Sequence, residues 1–264
     1  MNEPARAYND NDGKVLYDGP LAIMVNTFSA SASEILAAAM QDYKRAIIVG
    51  TESTYGKGTV QRVIDIDRMV SYEYQSQKPL GALKVTIQKF YRINGGTTQF
   101  QGVKPDIILP DLYDKIEIGE KELDYPLPWT EIKAAPFTTW KTVPNFKELA
   151  KKSNARTQKD SSFLLIRNAA KWLADTKEQE SLPLEISAFR AKDEQDAKLS
   201  KKYKDAGKCA VPFEIISLNT VSKNDAALDS VEKKRVDDWN KSIKEDVTLY
   251  ETYQIVSDFI NSIK

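Results

Sequence analysis

The sequence contains no histidine and a single cysteine, Cys209. The first absence removes the commonest general base, the commonest zinc ligand and every Ser–His or Cys–His pair. Any acid–base chemistry must therefore use Lys, Asp, Glu or Tyr. The second excludes an internal disulfide and a cysteine-rich metal site, and Cys209 is read as a plain small apolar residue. No apolar run is long enough to span a bilayer. Neither charge is in excess: Lys and Arg total 38, as do Asp and Glu, so no global field favours nucleic acid or an anionic membrane. Residues 1–12 are polar and acidic, unlike the basic-then-apolar start of a secretory signal. What remains is 264 residues, 41% hydrophobic and 29% charged, enough for one large soluble domain or two modest ones.

Leu21 to Asn26 is a short apolar, partly β-branched run and predicts a buried strand. A small-residue turn follows, then Glu34 to Tyr43 with helical spacing, then a second buried strand over Ala46 to Gly50. Two buried strands joined by a helix make a βαβ unit with parallel strands. Beyond a Ser/Thr/Gly-rich loop, Thr59 to Ile64, Met69 to Tyr74 and Ala82 to Ile93 read as extended segments, with Asn94-Gly95-Gly96 as a turn. Val103 to Pro110 is a short extended stretch whose Pro105 suits an edge or a strand start. From Pro144 onward the composition turns helical, with helices expected over Asn145 to Ser153, Ser161 to Glu178 and Ser230 to Ile263. A boundary near 140 therefore divides residues 1–140 from a mainly helical 141–264.

Two motifs carry the possible chemistry. Phe28 to Ile35 (FSASASEI) places Ser31 between a buried strand and a helix, where the first helical N–H groups are unpaired and carry the positive end of the dipole. A serine there can act as a nucleophile beside half an oxyanion hole. It can equally be a helix cap, since Ser31-Ala32-Ser33-Glu34 fits the capping box S-x-x-E. Tyr55 to Gln61 (YGKGTVQ) sets Lys57 between two glycines in a loop. It is not a phosphate loop, because Lys57 is followed by Gly58 and no helix follows. A free lysine, with a pKa of about 10.4, is neutral in about one molecule in 2,500 at neutral pH, so a lysine base needs burial away from carboxylates. A solvated surface lysine is the competing reading.

These residues resemble the tail-specific proteases of bacteria, in the S41 family of C-terminal processing peptidases. The likeness runs through NxFSASASEIxAAAMQDY, VGxxxxYGKGTVQ, IQKFYRINGGTTQ, GVKPDIILP and Leu127-Pro128-Trp129. The resemblance implies a serine endopeptidase with a Ser–Lys dyad. Ser31 would be the nucleophile, Lys57 the general base, Gln61 the residue that orients the lysine, and the Ala32 backbone N–H one oxyanion donor. It implies an α/β, crotonase/ClpP-like core (partial: βαβ plus antiparallel strands) followed by the helical C-terminal region. It also implies no cofactor and no metal, protein substrates with apolar C-termini, an adaptor lipoprotein as a possible partner, and the bacterial periplasm or cell envelope as the location.

Members of that family also have an N-terminal helical region, a PDZ domain and a Gly-rich turn that gives the second oxyanion donor. None of these is recognised before residue 20, so a fragment inactive on its own is expected. Two other readings compete. In one the chain is a non-catalytic scaffold whose helical part holds an adaptor; in the other, resting on fold alone, it handles acyl-CoA like crotonase relatives. A scaffold has no reason to keep Ser31, Lys57 and Gln61 together.

Overall fold

Strand β1 (Ala22–Val25), helix α1 (Ala32–Asp42) and strand β2 (Ile47–Gly50) form the βαβ unit in a computed structural model. It describes residues 9, 11–179, 181–209, 214–215 and 230–263, so most of the polar lead-in, residues 1–8 and 10, lies outside the described residues. β1 and β2 pair in parallel, with Ala22 opposite Ile47 and Val25 opposite Gly50. Next come an antiparallel ribbon of β3 (Thr59–Asp65) and β4 (Ala82–Lys89), and the short β5 (Ile107–Ile108). β5 pairs in parallel with β2, giving the sheet order β1-β2-β5. Five helices complete the described chain: α2 (Phe146–Thr157), α3 (Ser161–Lys177), α4 (Ile186–Tyr203), α5 (Ser230–Glu245) and α6 (Val247–Ser262).

All four residues of β2 are buried, because both faces of the sheet are covered. Successive side chains of a strand point to opposite faces. Ile48 joins Val25, Ala37, Ala38, Ala46 and Val103 beneath α1. Ile47 and Val49 join Ile107, Leu109, Leu149, Phe163, Ile166, Val247, Ile255 and Phe259 on the other face. One hydrophobic core thus runs from the sheet into α2, α3 and α6. Each such side chain contributes about 1.5–3 kcal/mol when fully buried, so the helices stabilise the sheet as well as themselves. Arg156 adds a polar tie between α2 and α6, with its guanidinium 2.7 Å from both Glu251 and Asp258.

Three expectations change. Met69 to Tyr74 is not a strand; it lies in the link between β3 and β4, which contains two short 3-10 turns, Ile66–Arg68 and Tyr72–Gln77. Side chains there offer the backbone local partners instead of a ladder: Asp65 accepts from the Asp67 N–H, and Asp67 from the Leu80 N–H. Residues 230–263 form two helices rather than one. Asp246 is extended at φ −84°, ψ 103° and caps α6 by accepting from the Thr248 and Leu249 N–H groups. Helix α4 was not anticipated, because it buries no residue and so shows little apolar periodicity.

Asp106, just before β5, fastens the sheet to α1. One carboxylate oxygen accepts from the Ile48 N–H and the other from Gln41 Nε2. Burial pushes its carboxyl above the ordinary 3.8, against the pull of those two donors. The folded chain therefore holds this proton more tightly than the unfolded one. Its stabilising contribution is complete below about 3.8 and is lost as pH rises through the folded value. Urea midpoints of the wild type should fall relative to those of Asp106→Asn over that rise; parallel curves would contradict the linkage.

Candidate active site

The chain leaves β1 in a tight polar turn. Asn26 Oδ1 accepts from the Phe28 N–H, Ser29 Oγ from the Asn26 N–H, and Asn26 O from the Ser29 N–H. Ser31 caps α1 at φ 57°, ψ −112°, a conformation rarely adopted by residues with a side chain. Such a backbone costs about 1–3 kcal/mol and persists only where its surroundings hold it. The N–H groups of Glu34 and Ile35 turn back to Ser31 O, and that of Ser33 to Ala30 O. The Ala32 N–H at the same helix end has no hydrogen-bond partner among the described residues.

The lysine loop follows β2. Gly56 sits at φ 88°, which favours glycine, and packs on the backbone of Phe100 and Gly102. Gly58 is needed for space: a Cβ there would strike the Gln99 backbone nitrogen and Thr97 Oγ1. Lys57 between them is half-buried and makes no ion pair among the described residues. Its Nζ donates to Gln61 Oε1 at 3.0 Å. Four residues of extended chain span about 13 Å, so this contact requires Lys57 to fold back along the start of β3. The ladder is irregular there: Val60 pairs with Gln88 but Gln61 with Thr86, leaving Ile87 as the extra residue of a bulge.

One carboxylate joins the two motifs. Glu34 is fully buried in the first turn of α1. Its Oε2 accepts from the Ser31 N–H at 2.8 Å and from the Lys57 N–H at 2.9 Å. Its Oε1 accepts from Thr54 Oγ1 at 2.5 Å and from the Gly56 N–H at 2.7 Å. Thr54 Oγ1 in turn accepts from the Val103 N–H. Burial pushes the Glu34 carboxyl up, and the donors from Thr54, Gly56, Ser31 and Lys57 pull it partway back. The backbone nitrogens of Ser31 and Lys57 therefore share one oxygen atom, although 26 positions separate them in sequence.

Of the residues singled out in the sequence, Ser31 and Ala32 lie at the start of α1, and Lys57 and Gln61 are hydrogen-bonded to each other; the Ser31 and Lys57 backbones meet at Glu34, and among the described residues no hydrogen bond joins Ser31 Oγ to Lys57 Nζ. Glu34 was legible only as the N3 residue of a capping box. That bond exists, but no local signal announces the other three, which come from residues 20 to 23 positions away. Cys209 lies half-buried beside the helical core, and burial pushes its thiol up. A cavity of about 520 Å³ between Pro110–Leu112 and Ala206–Lys208 includes neither Ser31 nor Lys57. Among the described residues no group of His, Cys, Asp and Glu is arranged to hold a metal ion, and no helix is long and apolar enough to cross a membrane.

Residues 2–109 match the model of peptidase family S41, and residues 113–261 match that of the C-terminal domain of tail specific protease. A tail-specific protease of Haemophilus influenzae is 39% identical over 216 residues, which are 78% of this chain and 30% of that protein. A carboxy-terminal-processing protease of Bartonella bacilliformis is 38% identical over 117 residues, 42% of this chain and 24% of that one. The chain thus spans under a third of the length of either relative. A solved photosystem II D1 C-terminal processing protease shares 36% identity over 34% of this chain and 20% of its own, with a TM-score of 0.28.

Proposed function

Because the chain belongs to peptidase family S41 and carries the C-terminal domain of the tail-specific proteases, we propose that it supplies the Ser–Lys pair of a serine endopeptidase that recognises proteins by their C-termini. The observation that carries this reading is the Glu34 carboxylate, which holds the Ser31 and Lys57 backbones on one oxygen at 2.8 and 2.9 Å. A scaffold has no need to bring a strained serine turn and a lysine loop together in this way.

The chemistry follows from the roles. Neutral Lys57 takes the proton of Ser31 Oγ as that oxygen bonds to the scissile carbonyl carbon. The carbonyl oxygen becomes an oxyanion and receives the free N–H of Ala32. The Lys57 ammonium then gives its proton to the leaving amine as the C–N bond breaks, leaving an acyl ester on Ser31. Water attacks the ester, Lys57 accepts a proton from that water and returns one to Ser31 Oγ, and the acid is released. Gln61 keeps the lysine amine turned along the ribbon through its 3.0 Å hydrogen bond.

Several finer readings belong with this one. The β1-β2-β5 sheet and α1 are read as part of a crotonase/ClpP-like core. The division near residue 140 is supported by residues 119–135, which bond to the lysine loop and to the turn after β4 through Glu120 N–H to Tyr55 O, Ile132 N–H to Gly95 O and Ala135 N–H to Ile93 O. Substrates with apolar C-termini, an adaptor lipoprotein and the bacterial periplasm or envelope complete the proposal. The second oxyanion donor and the substrate-capturing module are not assigned to residues of this chain, which is expected to cleave little or nothing by itself.

The test is made in the gene product that carries the chain, on a peptide with an apolar C-terminus. Lys57→Ala should lower kcat by about 100- to 10,000-fold. Lys57→Arg should not rescue it, because a guanidinium cannot give up its proton to act as a base. In the wild type kcat/KM should rise with pH, as general-base catalysis requires. An active Lys57→Arg variant would refute the general-base role.

A further inference from the structure

Three consecutive N–H groups of the lysine loop are held by buried side chains rather than by a strand. Glu34 holds those of Gly56 and Lys57, and Gln99 Oε1 holds that of Gly58 at 2.8 Å. Gln99 is fully buried, in the turn after β4 that also donates the Phe100 N–H to Gly56 O at 2.7 Å. The other end of its amide is equally engaged. Nε2 donates to Glu120 Oε1 at 3.2 Å and to Leu127 O at 3.1 Å. Glu120 is itself buried, and its backbone N–H donates to Tyr55 O at 2.8 Å, two residues before the lysine.

Glu120 and Leu127 both lie within residues 113–261, the stretch that matches the C-terminal domain. The same stretch is fastened to the Gln99 turn by the Trp129 indole N–H on Thr97 O at 3.0 Å. The lysine loop is thus clamped from two sides: by α1 through Glu34, and by the segment 120–129 through Gln99 and Glu120. We propose that Gln99 and Glu120 are positioning residues through which this segment sets the placement of Lys57 against Ser31. This rests on the reading of Lys57 as the general base. Neither side chain touches the reacting atoms; both act through the backbone of Tyr55 and Gly58.

The chemistry of the pair supplies a specific test. Gln99→Glu keeps the shape and still accepts from the Gly58 N–H. It can no longer donate to Glu120 Oε1 or Leu127 O, and it sets two carboxyls against each other in a buried site. Exchanging both groups, Gln99→Glu with Glu120→Gln, moves the donor to position 120 and restores the bond between them. A displacement of about 1 Å at the base costs about 100-fold in rate. In the gene product that carries the chain, Gln99→Glu should therefore lower kcat by about 100-fold, shift the alkaline rise of the pH profile, and leave KM unchanged. The exchange variant should recover most of the loss.

Folded Gln99→Glu with wild-type kcat and pH profile would overturn the proposal, and so would an exchange variant no better than the single one. Lys57→Ala is measured alongside. If that variant stays active, the general-base reading has failed separately. The brace is then read on the chain itself, by NMR titration of the Lys57 ε-methylene: a titration unmoved by Gln99→Glu overturns the brace, whereas one moved by Gln99→Glu and returned by the exchange supports it.

Discussion

In the gene product that carries the chain, replacing Ser31, the proposed nucleophile, by alanine should abolish peptide cleavage while leaving the fold intact. Removing the nucleophile of a serine protease lowers kcat by roughly a millionfold, down to whatever binding and the oxyanion donor supply by themselves. The structural cost is far smaller. The Glu34 and Ile35 N–H groups bond to the Ser31 backbone oxygen, which alanine retains, and the strained φ of 57° persists with alanine, so the strain is neither relieved nor increased. The two effects separate cleanly in a pair of measurements: turnover on a peptide with an apolar C-terminus, and a urea melt. Ser33→Ala serves as the control, because Ser33 lies on the first turn of α1, outside the proposed chemistry, and should keep its activity. Activity surviving in Ser31→Ala would remove the nucleophile from this position. Equal losses in the two variants would point to damage to the turn rather than to chemistry.

Glu34 should be the next most sensitive position, and for a different reason. Glu34→Ala leaves four donors without an acceptor: the N–H groups of Ser31, Gly56 and Lys57, and the hydroxyl of Thr54. A buried polar group left unpaired costs about 1–3 kcal/mol. Entering water offsets part of this, so a net loss of about 3–5 kcal/mol is expected, among the larger effects of a single substitution. Glu34→Gln isolates the positional role. It keeps the volume but turns an NH2 toward two of the four donors. The fold should survive, and kcat should fall by about 100-fold as the serine turn and lysine loop lose their common anchor. Denaturant midpoints and kcat, measured on both variants, test the two statements independently. A Gln variant with full activity would show that the dyad is held by the ribbon and the sheet, and that the carboxylate serves only stability.

Glu34 also shows where sequence reading ends. Ser31-Ala32-Ser33-Glu34 is a capping box by spacing, and the Ser31 N–H to Glu34 bond is there. The βαβ unit, the serine between β1 and α1 and the lysine between two glycines were all legible for the same kind of reason, whereas Gln61 as a partner of the lysine came only from the family resemblance. Apolar runs, helical spacing, small-residue turns and motif order are local properties, expressed within a few residues of the chain. The sequence by itself determined those elements, together with the exclusion of histidine chemistry and disulfides.

Tertiary structure decided the remainder, because the deciding partners are distant. Glu34 became the anchor of the site only when folding brought Thr54, Gly56 and Lys57 around it. Gln99 and Glu120 became a brace only when the turn after β4 met the loop after β2. Residues 69–74 joined a link that contains two 3-10 turns instead of a strand because local side-chain acceptors competed with the ladder, and 230–263 broke at Asp246 because a cap fitted there better than a continuous helix. Most consequentially, β2 is buried on both faces because α2, α3 and α6, about a hundred or more residues further on, close the side that α1 leaves open. A strand's apolar run announces that it will be covered. Which segment covers it is settled by packing between parts of the chain that no local pattern connects.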